Sequence, residues 1–244
     1  MSDKKQIQPI FFGGLPGAGK TTLICTLIQI ALNDEKRFAG FKPFDTGLIQ
    51  HNANETQMDG ELICANMTGD PMGALVSPYI AHENYPHEMA FRRDGIRVDW
   101  NFIQKRIEIL NDNYHQTLIE LPPSLFTPIT EQKMVIDWLA ESKNSIIWVI
   151  NPVREEFSQN LTEIQHLKSS GIPFDLVINN ASKIMDQDLL YYIWEKVEEF
   201  AEIELFGMIP FIKNLDFNYK KPIPMIEKFT PDLIKKFLDK KTEQ

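Results

Sequence analysis

The chain has 244 residues, of which 43% are hydrophobic and 24% are charged; this composition is typical of globular proteins and excludes collagen, low-complexity disorder and disulfide scaffolds. The formal net charge is −9 and the pI is about 5.1, which excludes a general electrostatic attraction to nucleic acid or to an anionic membrane. We expect one domain over residues 1–244, because a single α/β domain of this length is common.

The cysteine content indicates a reducing compartment, and the lengths of the apolar runs indicate that the chain does not span a membrane. The chain contains only two cysteines, Cys25 and Cys64, which are too few for a disulfide-stapled secreted fold. No window approaches the roughly 20 apolar residues of a membrane span. We therefore expect a cytoplasmic protein that binds neither membrane nor nucleic acid.

Short apolar runs alternate with helical patterns along the chain. Among the first hundred residues, strands are predicted at 9–12 and 37–44 and helices at 20–32 and 59–66, with functional loops in the rest of 45–97. The later elements are predicted to be a helix from 99, a strand at 117–120, a helix at 131–142, a strand at 145–150, a helix at 155–169, a strand at 174–178, a helix at 186–201, a strand at 204–209 and a helix at 231–240. This alternation predicts an α/β fold in which a mostly parallel sheet carries helices on both faces.

The strongest chemical signal is the segment Gly14-Leu15-Pro16-Gly17-Ala18-Gly19-Lys20-Thr21, which fits the P-loop pattern of a glycine, four residues and Gly-Lys-Thr. It lies between a predicted strand and a predicted helix, where backbone N–H groups face phosphate oxygens. Lys20 is expected to reach the β- and γ-phosphates, and the Thr21 hydroxyl to bind Mg²⁺. The predicted nucleotide-binding residues are Gly14, Pro16, Gly17, Ala18, Gly19, Lys20, Thr21 and Thr22. The alternative is a glycine-rich turn with a chance lysine. The P-loop interpretation makes the fold a three-layer sheet of the P-loop NTPase type.

Charged and hydroxyl residues follow the later strands, at the sheet edge where ligands of doubly wound folds bind. Lys42 and Thr46 follow the second predicted strand, Asp59 opens the next helix and Glu120 ends a buried run. Thr21, Asp59 and Glu120 are the predicted Mg²⁺ ligands, because Mg²⁺ takes oxygen ligands from one or two carboxylates plus phosphates. Singly, Lys42 or Glu120 is equally explained as a surface charge and Asp59 as a helix cap.

In this order, these features resemble the dethiobiotin synthetase family. The segments that carry the resemblance are the P-loop, Ala39-Gly40-Phe41-Lys42-Pro43, Asp59, Ser77-Pro78, Glu120, Phe126-Thr127-Pro128, Val177-Ile178-Asn179-Asn180 and Gly207-Met208-Ile209-Pro210. The resemblance implies a homodimeric, ATP- and Mg²⁺-dependent carboxylase and cyclo-ligase that forms dethiobiotin from 7,8-diaminononanoate and CO₂ in biotin synthesis.

The resemblance also implies residue roles. Lys20 would contact the phosphates and a substrate carbamate, Lys42 the carbamate and the γ-phosphate, and Thr46 would position the substrate. Asn179 and Pro210 would belong to the nucleotide site, where the family's asparagine reads the adenine. Thr21, Asp59 and Glu120 would hold Mg²⁺.

Four segments depart from the family pattern, mostly on the substrate side. Gly13-Gly14-Leu15-Pro16 stands where the family P-loop has Gly-Thr-Asp-Thr, so both threonines and the acidic residue are absent, and Gly17 replaces a common glutamate. Residues 121–124 read Leu-Pro-Pro-Ser instead of a glycine-rich turn, and prolines offer no N–H to a ligand. Glu155 and Glu156 open the helix whose N-terminus, in the family, meets the substrate carboxylate, which acidic side chains repel unless a neighbouring arginine compensates.

Three other interpretations remain open. A P-loop ATPase or small-molecule kinase acting on another substrate would give a lid role to Arg92, Arg93 and Arg97, which we expect instead to form a solvated loop. A switch of the partitioning-ATPase type would carry a lysine where Leu15 stands. A homologue that binds nucleotide without turnover is the third. Loop or surface placement without metal binding is expected for the histidines, His51, His82, His87, His115 and His166.

Overall fold

The architecture is that of a computed structural model, which describes residues 8–47, 49–52, 55–69, 73–179, 186–209 and 211. Its helices and strands are, in chain order, β1 (Ile10–Gly14), α1 (Lys20–Asn33), β2 (Phe38–Phe41), β3 (Phe44–Thr46), β4 (Ile49–Asn52), β5 (Glu55–Gln57), α2 (Asp59–Asn66), α3 (Gly73–Val76), β6 (Tyr79–Ala81), α4 (His87–Arg93), α5 (Trp100–Asn113), β7 (Gln116–Glu120), β8 (Pro128–Thr130), β9 (Lys133–Met134), α6 (Val135–Ser142), β10 (Ile146–Ile150), α7 (Arg154–Ser169), β11 (Phe174–Asn179), α8 (Gln187–Ala201) and β12 (Gly207–Ile209).

A six-stranded parallel sheet forms the centre, in the order β12-β11-β10-β1-β7-β2. Every residue of β7 and of β10 is buried, as in strands that helices cover on both sides. Since β1 lies between β10 and β7, the segment after Gly14 leaves the sheet near its centre, at the end where the carboxyl termini of the strands lie. The residues that follow β7 emerge beside it.

Helices cover both faces of the sheet. On one face a side chain at Gly40 would collide with Ile63 of α2 and press on Ile24 and Ile28 of α1. On the other face Phe11 of β1 packs edge-on against Trp138 of α6, with ring centroids 5.0 Å apart. The indole Nε1 of Trp148 in β10 donates to Asn160 of α7 over 3.0 Å on that same side. The predicted three-layer α/β fold is therefore confirmed.

The prediction of one continuous strand at 37–44 is wrong, because the structure has two strands there, β2 and β3. The ring of Pro43 cannot donate to the ladder, and the chain leaves the central sheet after Phe41. It resumes as β3, which pairs with β6 in a separate two-stranded sheet. Helix α2 coincides with the helix predicted at 59–66. The rest of 45–97, predicted as functional loops, also holds regular structure, including this pair, the β4–β5 hairpin, α3 and α4.

Helix α6 begins at Val135, four residues later than predicted, because the preceding residues form the β8–β9 hairpin. The Asp137 carboxylate accepts from the Met134 N–H over 2.8 Å and so marks the start of the helix. The predicted helix at 231–240 lies outside the described residues. Within the described part, no helix is both long and apolar enough to cross a membrane.

Candidate active site

The P-loop joins β1 to α1 with glycines in conformations that other residues rarely adopt. Gly17 has a φ of 74° and Gly19 a φ of 87°, both in the left-handed region. A Cβ on Gly19 would lie 2.0 Å from the Asn179 amide nitrogen. That nitrogen donates to the Ala18 carbonyl over 2.9 Å. Asn179 at the end of β11 thus braces the loop, and only glycine at position 19 leaves room for this brace.

Lys20 is folded back onto its own loop. Its ammonium donates to the carbonyls of Gly14, at 3.0 Å, and Leu15, at 3.2 Å. Burial lowers the pKa of Lys20 to about 8, because the charged form loses solvation, and the nearby Glu120 carboxylate only partly offsets this effect. The Lys20 ammonium is thus held against the P-loop by two neutral carbonyl groups.

Thr21 connects the P-loop to the neighbouring strand. Its hydroxyl donates to Oε1 of Glu120, the last residue of β7, over 3.0 Å. Glu120 is only 2% exposed, so it is a buried group and not a surface charge. Among the described residues its second oxygen, Oε2, is buried without a hydrogen-bond partner.

Lys42 stands at the centre of a carboxylate cluster. Its ammonium contacts Oδ2 of Asp59 and lies 2.9 Å from Oε1 of Glu120 and 3.6 Å from Oδ1 of Asp45. Burial alone would lower the pKa of Lys42, but the charges of Glu120, Asp45 and Asp59 outweigh it and raise the pKa above its ordinary value. The three surrounding carboxylates therefore favour the charged form of Lys42 in this cleft.

Neighbouring elements fix the backbone that carries this cluster. The Ser77 hydroxyl donates to the Lys42 carbonyl over 2.8 Å, and the Lys42 N–H donates to the Val76 carbonyl over 2.9 Å. These bonds give the Ser77-Pro78 motif a structural role. The Gly60 N–H at the start of α2 donates to Oδ2 of Asp45 over 2.9 Å. The segment of Val76 and Ser77 thus fixes the backbone of Lys42, and the start of α2 fixes the carboxylate of Asp45.

These residues line one cleft of about 450 Å³. Its lining contains the predicted site residues Pro16, Gly17, Gly19, Lys20, Thr21, Thr22, Lys42, Thr46, Asp59 and Glu120. Gly14, Ala18 and Asn179 lie behind the lining, where they shape or brace the loop. Pro210 lies outside the described residues, as does Asn180 of the same resemblance.

Asp45 and His87 also line the cleft, and neither was predicted to belong to the site. Desolvation raises the pKa of Asp45 to about 6, against the opposing charge of Lys42. Placement of His87 in a loop or on the surface is wrong: it begins α4 and is only 7% exposed. Burial, with the charges of Lys42 and Lys20, lowers the pKa of His87 to about 4, so its imidazole is neutral near pH 7. The sequence feature that could have identified Asp45 as a site residue is its position three residues after Lys42.

The turn after β7 presents prolines to the cleft. Pro122 and Pro123 are among the lining residues. The Ser124 hydroxyl donates to the buried carboxylate of Glu163 in α7, which also accepts the Leu125 N–H over 3.0 Å. This side of the cleft is therefore stiff and offers no N–H at either proline position.

The first turn of α7 carries the acidic side chains Glu155 and Glu156. Partial burial and the charge of Glu155 raise the pKa of Glu156, while Lys20 opposes this shift. Arg154, which precedes them, is exposed. The helix end thus presents negative charge on the side of Lys20.

The arginines of the alternative kinase interpretation lie elsewhere. Arg92 and Arg93 form the last turn of α4, so their assignment to an irregular loop is wrong. They are nevertheless exposed, and they pair with Glu88 and Glu83 at 3.7 and 3.3 Å. None of the three arginines lines the cleft. Leu15, at the position of the partitioning-ATPase lysine, is buried in the core.

Comparisons with known proteins agree with the fold and with the family resemblance. A family model described as an AAA domain matches residues 13–218. An ATP-dependent dethiobiotin synthetase of Yersinia pestis bv. Antiqua (strain Angola) is 22% identical over 201 residues, which are 82% of this chain and 83% of the relative. One of Bacillus cereus (strain G9842) is 24% identical over 175 residues, 71% of each chain. The resemblance to the dethiobiotin synthetase family is thus confirmed.

Two solved structures share the fold. The MinD cell division protein of Aquifex aeolicus superposes with a TM-score of 0.59 at 18% identity, covering 95% of this chain and 97% of that chain. A putative plasmid partition protein of Borrelia burgdorferi B31, bound to AMPPNP, gives a TM-score of 0.55 at 12% identity, with 97% and 100% covered. At these identities the likeness supports the P-loop NTPase-type architecture alone.

Proposed function

The chain belongs to the AAA domain family whose model matches most of its length, and from its similarity to dethiobiotin synthetases we propose that it is an ATP- and Mg²⁺-dependent cyclo-ligase of that type. Its substrates would be ATP, 7,8-diaminononanoate and CO₂, and it would act in the cytoplasm as a homodimer of single-domain chains. The observation that carries the proposal is the convergence of Lys20, Thr21, Lys42, Asp59 and Glu120 on one cleft.

The donor set of the cleft fits Mg²⁺. Thr21 offers a hydroxyl, and Glu120 keeps a buried oxygen without a hydrogen-bond partner in the described part of the chain. The described residues hold no group of three or more His, Cys, Asp or Glu side chains arranged around a metal position. One or two carboxylates, a hydroxyl and the phosphates of a nucleotide are the oxygen ligands that Mg²⁺ takes in nucleotide sites. Thr21, Asp59 and Glu120 would hold the ion, which would neutralise charge on the transferring phosphoryl group.

The chain's own residues supply the remaining electrostatic stabilisation. Lys20 would leave its loop carbonyls for the β- and γ-phosphates, and Lys42 would contact the γ-phosphate and the carbamate that CO₂ forms on one substrate amine. The carbamate oxygen would bond to the γ-phosphorus as the bond to ADP breaks. The second amine would then bond to the carbamate carbon and expel phosphate, which closes the ureido ring. Thr46 would position the substrate at the far side of Lys42.

The test is phosphate release from MgATP by the purified protein, with and without diaminononanoate and bicarbonate, together with mass analysis of the product. Substrate-stimulated release with dethiobiotin formation is the expected result. Lys196→Ala, which removes a half-buried lysine of α8 outside the cleft lining, serves as a control for Lys20→Ala. Light scattering on the same sample measures whether two chains associate.

A second candidate is a related P-loop ATPase or small-molecule kinase with a different substrate. It is favoured by Pro122, Pro123 and the acidic first turn of α7, since these offer few N–H groups and negative charge where the family binds a carboxylate. Nucleotide binding without any stimulation by diaminononanoate would support this candidate against the first.

A further inference from the structure

Lys42 occupies the position where the proposed metal ligands meet. Its ammonium contacts Glu120 Oε1 at 2.9 Å and also contacts Asp59 Oδ2. The Thr21 hydroxyl donates to the same Oε1 at 3.0 Å. The three residues proposed to hold Mg²⁺ are therefore linked through the Lys42 ammonium and one glutamate oxygen.

The shared oxygen has no capacity for another partner in this arrangement. A carboxylate oxygen offers about two lone-pair positions, and those of Glu120 Oε1 are taken by Thr21 and Lys42. Asp59 Oδ2 is likewise in direct contact with the ammonium. A divalent cation that binds these two oxygens must therefore displace Lys42. One that binds Oε2 of Glu120, which has no hydrogen-bond partner among the described residues, is repelled by the ammonium held at Oε1 of the same carboxylate.

The charge balance explains why a cation belongs there in the nucleotide-free protein. Asp45 and Glu120 are buried and Asp59 is partly buried around this position, and a buried carboxylate without a positive partner is strongly disfavoured. The other ammonium of the cleft does not compensate them directly, since Lys20 donates to the carbonyls of Gly14 and Leu15. Lys42 is the described cation in direct contact with these carboxylates.

We propose that Lys42 is a tethered stand-in for the metal ion: it holds the cation position at Glu120 and Asp59 in the nucleotide-free protein, excludes Mg²⁺ from it, and leaves when a magnesium nucleotide arrives. The inference rests on the proposed function for the assignment of Thr21, Asp59 and Glu120 as metal ligands. A lysine suits this exchange, because its flexible stem allows the ammonium to move between two anionic partners. Those partners are the carboxylates before nucleotide binding and the γ-phosphate after it.

The experiment measures Mn²⁺ binding by electron paramagnetic resonance in the absence of nucleotide. The wild-type protein is expected to bind Mn²⁺ weakly, and Lys42→Met, which keeps the side-chain length without the charge, to bind it at least about 10-fold more tightly. Lys42→Met combined with Glu120→Gln is expected to lose this gain. Lys20→Met is the matched control, since it removes the other buried ammonium of the cleft without touching a carboxylate.

Equal Mn²⁺ affinity of the wild type and Lys42→Met would overturn the inference, and so would an equal gain in Lys20→Met. Thermal unfolding gives an independent readout if Lys42→Met is unstable. That variant is expected to melt at a lower temperature than the wild type in EDTA and to recover in Mg²⁺, whereas the wild type is unaffected by Mg²⁺. No recovery of the variant in Mg²⁺ contradicts the inference.

These measurements use neither ATP nor diaminononanoate, so the two proposals fail separately. A gain in Mn²⁺ affinity without dethiobiotin formation by the wild type would reject the proposed substrate and keep the stand-in role of Lys42. Dethiobiotin formation by the wild type with no gain in Lys42→Met would reject the stand-in role alone.

Discussion

The Thr21 hydroxyl donates to Glu120 across 3.0 Å, although 99 residues separate the two along the chain. The bond ties the first turn of α1 to the carboxyl end of β7. It orients the hydroxyl and the carboxylate toward the space in which the P-loop faces Lys42. A ligand that enters the cleft beside this pair meets two oxygen groups in fixed positions, because both side chains are anchored on regular elements.

Thr21→Val removes the hydroxyl and keeps the branched shape, so it is expected to weaken metal use. Losing a group that merely orients a ligand costs about 10- to 100-fold in metal affinity or activity, and a ligand itself costs at least as much. ATP hydrolysis at limiting Mg²⁺ should fall by that factor and recover partly at high Mg²⁺. Thr21→Ser retains the hydroxyl and should stay within a few-fold of the wild type. Equal losses in both variants would show that the methyl group matters instead.

Lys20→Ala is expected to abolish ATP-dependent turnover. Removing one group that stabilises developing charge costs roughly 100- to 1000-fold in rate, and Lys20 is the ammonium that the P-loop itself holds. Steady-state phosphate release is the measurement. Unchanged turnover in Lys20→Ala, beside unchanged turnover in the Lys196→Ala control, would reject the nucleotide assignment.

Lys42→Ala is expected to spare ATP binding and to remove the chemical step. The P-loop would hold most of the nucleotide, whereas Lys42 lines the cleft just after the end of β2. The dissociation constant for ATP, measured by calorimetry, should change by no more than a few-fold while product formation is lost. A parallel loss of ATP affinity and rate contradicts this division of roles.

Asp45 and His87 should give the stability of the protein opposite pH dependences. The pKa of Asp45 is raised from 3.8 to about 6, so the folded state binds the extra proton in this window and stability falls as pH rises. The pKa of His87 is lowered from 6.5 to about 4, so the unfolded state binds the extra proton and stability rises with pH. Each contribution is roughly 3 kcal/mol, and the two offset each other between pH 4 and 6.5.

Single variants separate these contributions. Urea unfolding between pH 4 and 6.5 should show the free energy of unfolding rising with pH in Asp45→Asn, which keeps an acceptor for the Gly60 N–H. In His87→Gln it should fall over the same range. Parallel curves for the two variants would mean that neither side chain titrates as its burial requires.

Gly19→Ala should destabilise the protein more than Gly17→Ala. Both glycines have positive φ, which costs another residue about 1–2 kcal/mol. A methyl group at position 17 meets nothing within 4 Å, whereas one at position 19 collides with the Asn179 amide. The difference in unfolding free energy, from urea titration, should be at least about 1 kcal/mol. Asn179→Ala in the Gly19→Ala background should recover part of it.

The sequence by itself determined the P-loop and the order of the elements. Both are local properties: the glycine spacing before Lys20 and Thr21 constrains a few consecutive residues, and apolar periodicity distinguishes strands from helices within one window. Since parallel strands end on one edge, it also predicted that Lys42, Asp59 and Glu120 lie together, and all three line the cleft. It placed the ends of elements less well, because Pro43 and the β8–β9 hairpin divided apparently continuous patterns.

Only the tertiary structure decided which groups face one another. Asp45 and His87 carry no motif, and their altered pKa values arise from burial that distant elements impose. The contact of Lys42 with the proposed metal ligands depends on β2, α2 and β7 meeting at one point. Likewise Asn179 contacts the P-loop across 161 residues of chain. Electrostatic and packing energies depend on distance in space, which one-dimensional spacing does not contain.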